Sequence, residues 1–136
     1  MKNFWMGPLA AMLCAVAGAV PAAETIYGCE ATYVSKQGFV GPEIYFFLDE
    51  EKGTVRVLDG VVQSVTDGPM AGKLTKRSNG IYRVNWTVAN IKGRTTELTV
   101  NYTGNLYLEK NKYTISAVVR GYDNKVRGEG RCKILK

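Results

Sequence analysis

The side chains that could do chemistry are few in this 136-residue chain, which has three cysteines and no histidine. Without histidine there is no Ser-His or Cys-His nucleophilic pair and no imidazole base, so the commonest hydrolase designs are excluded. The adjacent carboxylates Asp49, Glu50 and Glu51 have the chemistry of a glycosidase acid and base. They stand just before Gly53, however, in a composition typical of a solvated turn. The sequence therefore predicts a non-enzymatic protein without a cofactor.

The N-terminal residues have the three-part pattern of a secretory signal peptide. Lys2 precedes an apolar run from Leu9 to Val20, and small residues follow before the first acidic residue, Glu24. The run is shorter than the roughly 20 apolar residues that span a bilayer as a helix. A removed leader is therefore favoured over a retained membrane anchor.

Small residues indicate where this leader ends. We expect cleavage after Ala22, with Ala23 as the alternative, so that 1–22 is the signal peptide and 23–136 a single domain. Cys14 lies within the apolar run and leaves with the leader. The protein is predicted to be bacterial and periplasmic or secreted.

Two cysteines, Cys29 and Cys132, remain in the mature chain. Exported proteins meet an oxidising compartment, where an even pair in a small domain normally forms a disulfide. The alternative, a metal site, is disfavoured because two thiolates without histidine make a poor closed zinc site. A disulfide closing a loop of about 100 residues contributes about 4 to 5 kcal/mol in the chain-entropy estimate. We predict the disulfide and no metal.

Alternation of apolar and polar residues predicts half-buried antiparallel strands. It is clearest over 81–89, 95–102 and 112–120, and it is also present over 27–33. Other strand candidates are EIYFFLD, TVRVLD, VVQSV, AGKLTK and LYLEK. The predicted inward positions are Tyr27, Cys29, Ala31, Tyr33, Tyr82, Val84, Trp86, Val88, Leu98, Val100, Tyr102, Tyr113, Ile115, Ala117 and Val119, with Cys132 and Ile134 sharing one face of the last strand.

Turn signals separate these strands at short intervals. Gly occurs beside Asp, Asn or Ser at 59–60, 78–80 and 103–105, among other places. About eight to ten short strands joined by hairpins predict an all-β fold, a small antiparallel up-and-down β-barrel of the lipocalin-like or avidin-like kind, with a β-sandwich as the alternative. The barrel is favoured because a bond between the first and last strands is what closure of a meander produces, and closure removes exposed edges.

The chain is basic, with a net charge of +6, one unit of which Lys2 takes away with the leader. A modest positive charge favours contact with anionic surfaces, although a solvated outer face is the simpler explanation of it. We expect an anionic envelope component or another protein as partner, with no nucleic acid and no membrane-spanning segment. The candidate anionic-surface patch is made of two groups: Lys73, Lys76 and Arg77, and then Arg120, Lys125, Arg127 and Arg131.

Three short features carry a resemblance: YGCE at 27–30, SNGIY at 78–82, and a cysteine close to the C-terminus. In these the chain resembles small exported bacterial β-barrel proteins and, distantly, the periplasmic inhibitors of C-type lysozyme. In the inhibitor family a Ser-Gly loop before a tyrosine enters the enzyme cleft. The resemblance thus implies that Ser78, Gly80 and Tyr82 contact a partner, although here Asn79 separates the serine from the glycine.

The sequence as a whole predicts an exported, disulfide-closed β-barrel with a binding or envelope-associated role. Two alternatives remain: a carrier of small apolar ligands, and a lysozyme-inhibitor-like protein acting through the 78–82 loop. A carrier needs an open lumen, whereas eight strands leave little space once large inward side chains fill it. The content of the barrel interior therefore distinguishes a carrier from a surface-binding protein.

Overall fold

Eight antiparallel strands form a closed barrel in which consecutive strands pair and the last strand pairs with the first. The computed structural model describes residues 24–36 and 38–136, so the predicted leader, its cleavage site and Cys14 lie outside the described residues. The predicted up-and-down β-barrel is confirmed. The strands are β1 (Thr25–Val34), β2 (Glu43–Asp49), β3 (Thr54–Asp59), β4 (Met70–Ser78), β5 (Ile81–Lys92), β6 (Glu97–Tyr107), β7 (Lys112–Val119) and β8 (Lys125–Ile134).

The two ends of the barrel differ in how their strands are connected. At the end that we call the turn end, short connections at 50–53, 79–80 and 108–111 join the strands, and β1 begins where β8 finishes. The opposite, looped end carries the β1–β2 connection, the stretch between β3 and β4, the β5–β6 hairpin and the β7–β8 loop. The two longest connections, between β1 and β2 and between β3 and β4, both lie at the looped end.

A short helix, α1 (Gly60–Val65), covers part of the looped end. The Asp59 carboxylate accepts a hydrogen bond from the Val62 N–H at 2.8 Å and caps the helix. Val62 is fully buried. The prediction of a strand over VVQSV is therefore wrong, because the Asp-Gly pair before it starts a helix that leaves the sheet and places one valine against the core.

The seam between β1 and β8 closes the barrel, and Cys29 lies directly opposite Cys132 across it. Their sulfur atoms form the predicted disulfide, which joins residues 103 positions apart. Gly130 is required next to this bond, because a Cβ there would collide with the Glu30 carbonyl oxygen and lie 2.6 Å from the Tyr113 ring. The glycine-rich last strand thus allows the seam to pack tightly.

The core is built around stacked aromatic rings. Trp86 and Tyr102 lie on neighbouring strands with ring centroids 5.1 Å apart and planes 4° from parallel. Phe46 packs edge-on against Trp86 at 6.0 Å and against Tyr113 at 6.5 Å. The predicted inward positions on β5, β6 and β7 are confirmed as buried, except that Leu98 is only half-buried where β6 begins.

The predicted turn at 103–105 is wrong, since these residues lie within β6. Gly104 is there for another reason: a Cβ would stand 3.3 Å from the Trp86 ring. The glycine provides space for an indole on the adjacent strand, which local sequence signals do not reveal. The stretch LYLEK is also only partly a strand, because Leu108–Lys110 forms a 3₁₀ turn. The candidates EIYFFLD, TVRVLD and AGKLTK are confirmed as strand residues.

The first strand departs from its predicted alternation. Tyr27 and Cys29 are buried as predicted, and Ala31 is half-buried. A β-bulge then shifts the register between Ala31 and Tyr33, so Tyr33 faces outward and is 56% exposed. The predicted inward position of Tyr33 is wrong for this reason. Ile134 is also exposed, because it lies at the end of the barrel beyond the packed core.

Candidate functional site

The barrel interior is filled by side chains. Buried apolar residues form one contiguous cluster to which β4 contributes the half-buried Met70 and Leu74. Val40, from the β1–β2 connection, and Val62, from α1, close this cluster at the looped end. The core side chains therefore occupy the space in which a carrier of lipocalin type would hold its ligand.

Polar groups also lie within this apolar interior. The Tyr102 hydroxyl donates a hydrogen bond to the Phe39 carbonyl oxygen at 2.7 Å. The Trp86 Nε1–H and the Tyr113 hydroxyl, in contrast, have no hydrogen-bond partner among the described residues. Asp59 is buried at the helix cap. The interior thus contains one satisfied hydroxyl, two donors without a partner among the described residues, and a buried carboxyl group.

Burial changes how these groups titrate. It raises the pKa of Asp59, although hydrogen bonds from the backbone N–H groups of Val62 and Val61 oppose this change. Burial, with the charge of Asp59 as a second cause, raises the pKa of Tyr113 to about 12. The same two causes raise the pKa of Tyr102. Both phenols therefore remain protonated at neutral pH and serve as core side chains.

The carboxylates before Gly53 form a turn, as the sequence indicates. Glu50 and Glu51 are exposed, whereas the buried Asp49 accepts a hydrogen bond from the Lys52 N–H at 3.0 Å. The Asp49 side chain thus holds the backbone of the β2–β3 turn in place.

The looped end carries an apolar strip with basic residues, which we call the mouth surface. A groove of about 750 Å³ runs between the β1–β2 connection, α1 and the β5–β6 hairpin. A second groove, of about 320 Å³, runs between the β1–β2 connection and the β7–β8 loop. Both are lined by Phe39 and Leu98, so they adjoin. The mouth surface consists of Phe39, Val61, Ile91, Leu98 and Tyr122, with Lys36, Lys92 and Arg94.

The charged residues of the mouth surface are all basic. Among the described residues that line the two grooves, Lys36, Lys92 and Arg94 are charged and none is acidic. All three are exposed, and Tyr122 beside them is 58% exposed. The combination of half-buried apolar side chains, one exposed tyrosine and three cations suits an anionic amphiphile.

The basic residues singled out in the sequence do not form one patch. Lys73, Lys76 and Arg77 lie on β4, whereas Lys125, Arg127 and Arg131 lie on β8. In the closed order of strands, β4 and β8 are on opposite sides of the barrel. Arg120 follows β7 at the looped end. The structure therefore separates the predicted patch into two surfaces.

The predicted contact loop lies at the turn end. Ser78 and Asn79 are exposed at its tip, and Gly80 adopts a positive φ of 74° beneath the side chain of Glu109. Tyr82, however, points into the barrel and is 7% exposed. The structure thus keeps the serine and the tyrosine apart, and contact of this loop with a partner stays a prediction.

Sequence reasoning missed the mouth surface. Its residues come from four connections and the strand ends next to them, which are distant in the sequence, and only the closed barrel brings them to one end. A signal was nevertheless present, because Phe39 and Val40 are apolar residues between Gly38 and Gly41, in a stretch with the composition of a loop.

Comparison with known proteins leaves the relationship of the chain undetermined, because no family model, curated protein or solved structure matches it. Within residues 24–36 and 38–136, no helix is long and apolar enough to cross a bilayer. In the same part of the chain, no group of three or more Cys, Asp or Glu residues is arranged to hold a metal ion. The disulfide is compatible with an oxidising, exported location.

Proposed function

We propose that the protein is an exported, non-enzymatic binding module that docks through its mouth surface on the anionic lipid surface of the bacterial envelope. The observation that supports this proposal is an apolar strip whose described charged residues are all basic. Its partner is therefore the anionic envelope component expected from the net charge of the chain. In this proposal the binding site is the mouth surface and not the basic patch that the sequence suggested.

The physical basis is that of peripheral membrane binding. Each lysine or arginine near an anionic membrane contributes about 1 kcal/mol, and this attraction decreases with added salt. Phe39, Leu98 and Tyr122 add apolar area that enters the boundary between headgroups and acyl chains. Three cations with a small apolar strip predict weak, reversible binding.

The alternative of an interior ligand carrier finds less support. An apolar ligand would have to displace the stacked rings of Trp86 and Tyr102, which are both buried. Removing such rings from a packed core costs several kcal/mol, about as much as a small ligand gains on binding. The filled interior thus favours binding at the surface.

Sedimentation with lipid vesicles tests the proposal. We expect the protein to pellet with vesicles that contain phosphatidylglycerol and to stay in solution with pure phosphatidylcholine vesicles. The double variant Lys92→Glu/Arg94→Glu should lose binding by about tenfold or more, because four units of charge change at the mouth surface.

A matched control distinguishes binding through the mouth surface from a general effect of net charge. The double variant Lys73→Glu/Lys76→Glu makes the same change of charge on the wall of β4, outside the two grooves. It should retain most of the binding. An equal loss in both variants, or no binding of the native protein to anionic vesicles, would contradict the proposal.

A further inference from the structure

The β-bulge in β1 gives one tyrosine an unusual position. Thr32 is the extra residue between Ala31 and Tyr33, and Tyr33 consequently pairs with Glu129 of β8 on the outer face. A large aromatic side chain there adds nothing to the core, and more than half of it is exposed. Bulges commonly reorient a side chain next to a functional site. The position of Tyr33 therefore suggests a function on the outside of the barrel.

The strand registers align polar side chains beside Tyr33. Glu129 pairs with Thr114, and Thr114 pairs with Asn105, so a row of outward polar groups continues from the tyrosine across β8, β7 and β6. The Asn105 side-chain amide donates to the Thr114 hydroxyl at 3.3 Å, which orients both groups. The row thus combines an aromatic ring, a carboxylate, a hydroxyl and an amide.

A second row of paired polar side chains lies beside the first on the same three strands, two residues nearer the looped end. Arg127 pairs with Ser116, and Ser116 pairs with Thr103. The Thr103 hydroxyl accepts a hydrogen bond at 2.9 Å from the side-chain amide of Asn85 on β5. Between the two rows runs a groove of about 380 Å³. Its described lining residues are Tyr33, Thr103, Asn105, Thr114, Ile115, Ser116, Lys125, Arg127, Gly128 and Glu129.

The charged groups of this groove are available to a ligand. Arg127 and Glu129 are both exposed, and neither forms an ion pair with another described residue. Lys125 and Arg127 together outnumber the single carboxylate of Glu129. The groove is therefore positive overall, yet it keeps one strong acceptor next to the tyrosine.

We propose that this groove binds an acidic sugar chain. A sugar ring presents a face of C–H groups, which packs on an aromatic ring such as that of Tyr33. Its hydroxyl groups both donate and accept hydrogen bonds, which suits neighbouring carboxylate, amide and hydroxyl side chains. A carboxylate on the sugar matches the guanidinium of Arg127 in planar geometry. The positive excess selects acidic over neutral sugars.

This site goes beyond the proposed function and depends on other residues. None of the lining residues of the sugar groove belongs to the mouth surface. Tyr33 and Tyr122 are exposed to nearly equal extents, 56% and 58%, but they stand in different grooves. Their alanine variants therefore form a matched pair that tests one site against the other.

NMR titration of the disulfide-bonded mature protein with a galacturonic acid trisaccharide tests the proposal. We expect saturable changes in the amide signals of Tyr33, Asn105, Thr114 and Ser116. Tyr33→Ala should raise the apparent Kd by about fivefold or more, whereas Tyr122→Ala should leave it unchanged. Arg127→Gln should remove the preference for this trisaccharide over a neutral one such as cellotriose. The amide spectra of the free variants show whether each remains folded.

Several results would overturn the proposal. These are the absence of saturable changes at millimolar trisaccharide, changes located away from the groove, and an equal effect of Tyr33→Ala and Tyr122→Ala. Equal binding of the acidic and the neutral trisaccharide by the native protein would overturn the inferred preference for acidic sugars. Vesicle binding is measured separately, so failure of the sugar site leaves the proposed function intact, and the reverse also holds.

Discussion

The Tyr102 hydroxyl donates a hydrogen bond to the Phe39 carbonyl oxygen at 2.7 Å, joining the middle of β6 to a connection 63 residues away. The Phe39 carbonyl faces the interior, while its side chain lines both grooves of the mouth surface. One hydrogen bond thus links the packed aromatic core to the surface that we propose as the binding site. This contact therefore helps to hold the Phe39 backbone in place at the mouth surface.

Removing the Tyr102 hydroxyl should destabilise the protein. Tyr102→Phe leaves the half-buried Phe39 carbonyl without its donor, and a typical intramolecular hydrogen bond contributes about 0.5 to 1.5 kcal/mol to stability. We expect a lower urea midpoint with an unchanged m-value. Vesicle binding should weaken as well, since Phe39 loses its anchor.

Tyr113→Phe is the matched control, because the Tyr113 hydroxyl has no partner among the described residues. Removing an unsatisfied hydroxyl should leave stability unchanged or raise it by about 1 kcal/mol. Equal destabilisation by the two phenylalanine variants would show that the two hydroxyls do not differ in the way the structure indicates.

Asp59 should make stability depend on pH. Its pKa in the folded protein lies above the ordinary value of 3.8, because burial disfavours the charge. The stabilisation from this proton is complete below the unfolded pKa and is lost as pH rises through the folded pKa. Asp59→Asn keeps a side-chain oxygen for the helix cap and does not titrate. We expect the native protein to lose stability relative to this variant as pH rises.

Urea unfolding of both proteins at a series of pH values between about 3 and 7 measures this difference. Other carboxylates are common to the two proteins, so their contributions cancel in the comparison. A difference that stays constant over the series, or that grows in favour of the native protein with rising pH, would be inconsistent with a raised pKa at Asp59.

Truncation of Trp86 should reveal how tightly the interior is packed. Trp86 is 4% exposed and stacks on Tyr102, and replacing a buried tryptophan by alanine typically costs about 3 to 5 kcal/mol. We expect a much lower urea midpoint for Trp86→Ala. Added fatty acids should leave the blue-shifted Trp86 fluorescence of the native protein unchanged. A saturable change with fatty acid, together with a small loss of stability in the variant, would support the carrier alternative.

Loss of the disulfide should lower stability without changing the fold. Cys29→Ala/Cys132→Ala removes a cross-link over 103 positions, and such a bond typically contributes about 2 to 5 kcal/mol. The strand hydrogen bonds on both sides of the seam remain. A reducing agent should destabilise the native protein by a similar amount and leave the variant unaffected. Two freely alkylatable thiols in protein taken from cells would show that the bond does not form there.

Local sequence patterns determined most of the barrel wall. Alternation over β5 and β7 placed Tyr82, Trp86, Tyr113 and Ile115 inside correctly, because a strand turns successive side chains to opposite faces whatever its neighbours are. The two cysteines outside the predicted leader also predicted correctly that the first strand is joined to the last. The leader lies outside the described residues and stays a prediction.

Tertiary structure alone decided which side chains become neighbours on the surface. The bulge at Thr32 moved Tyr33 outward, and the Trp86 ring, not a turn, explains Gly104. The polar rows beside Tyr33 exist because β6, β7 and β8 pair in one particular register, and the mouth surface exists because closure brings four distant connections to one end. Strand register and barrel closure depend on contacts between residues far apart in the chain. A periodicity of two residues fixes which way a side chain faces, but it cannot specify which side chains become neighbours.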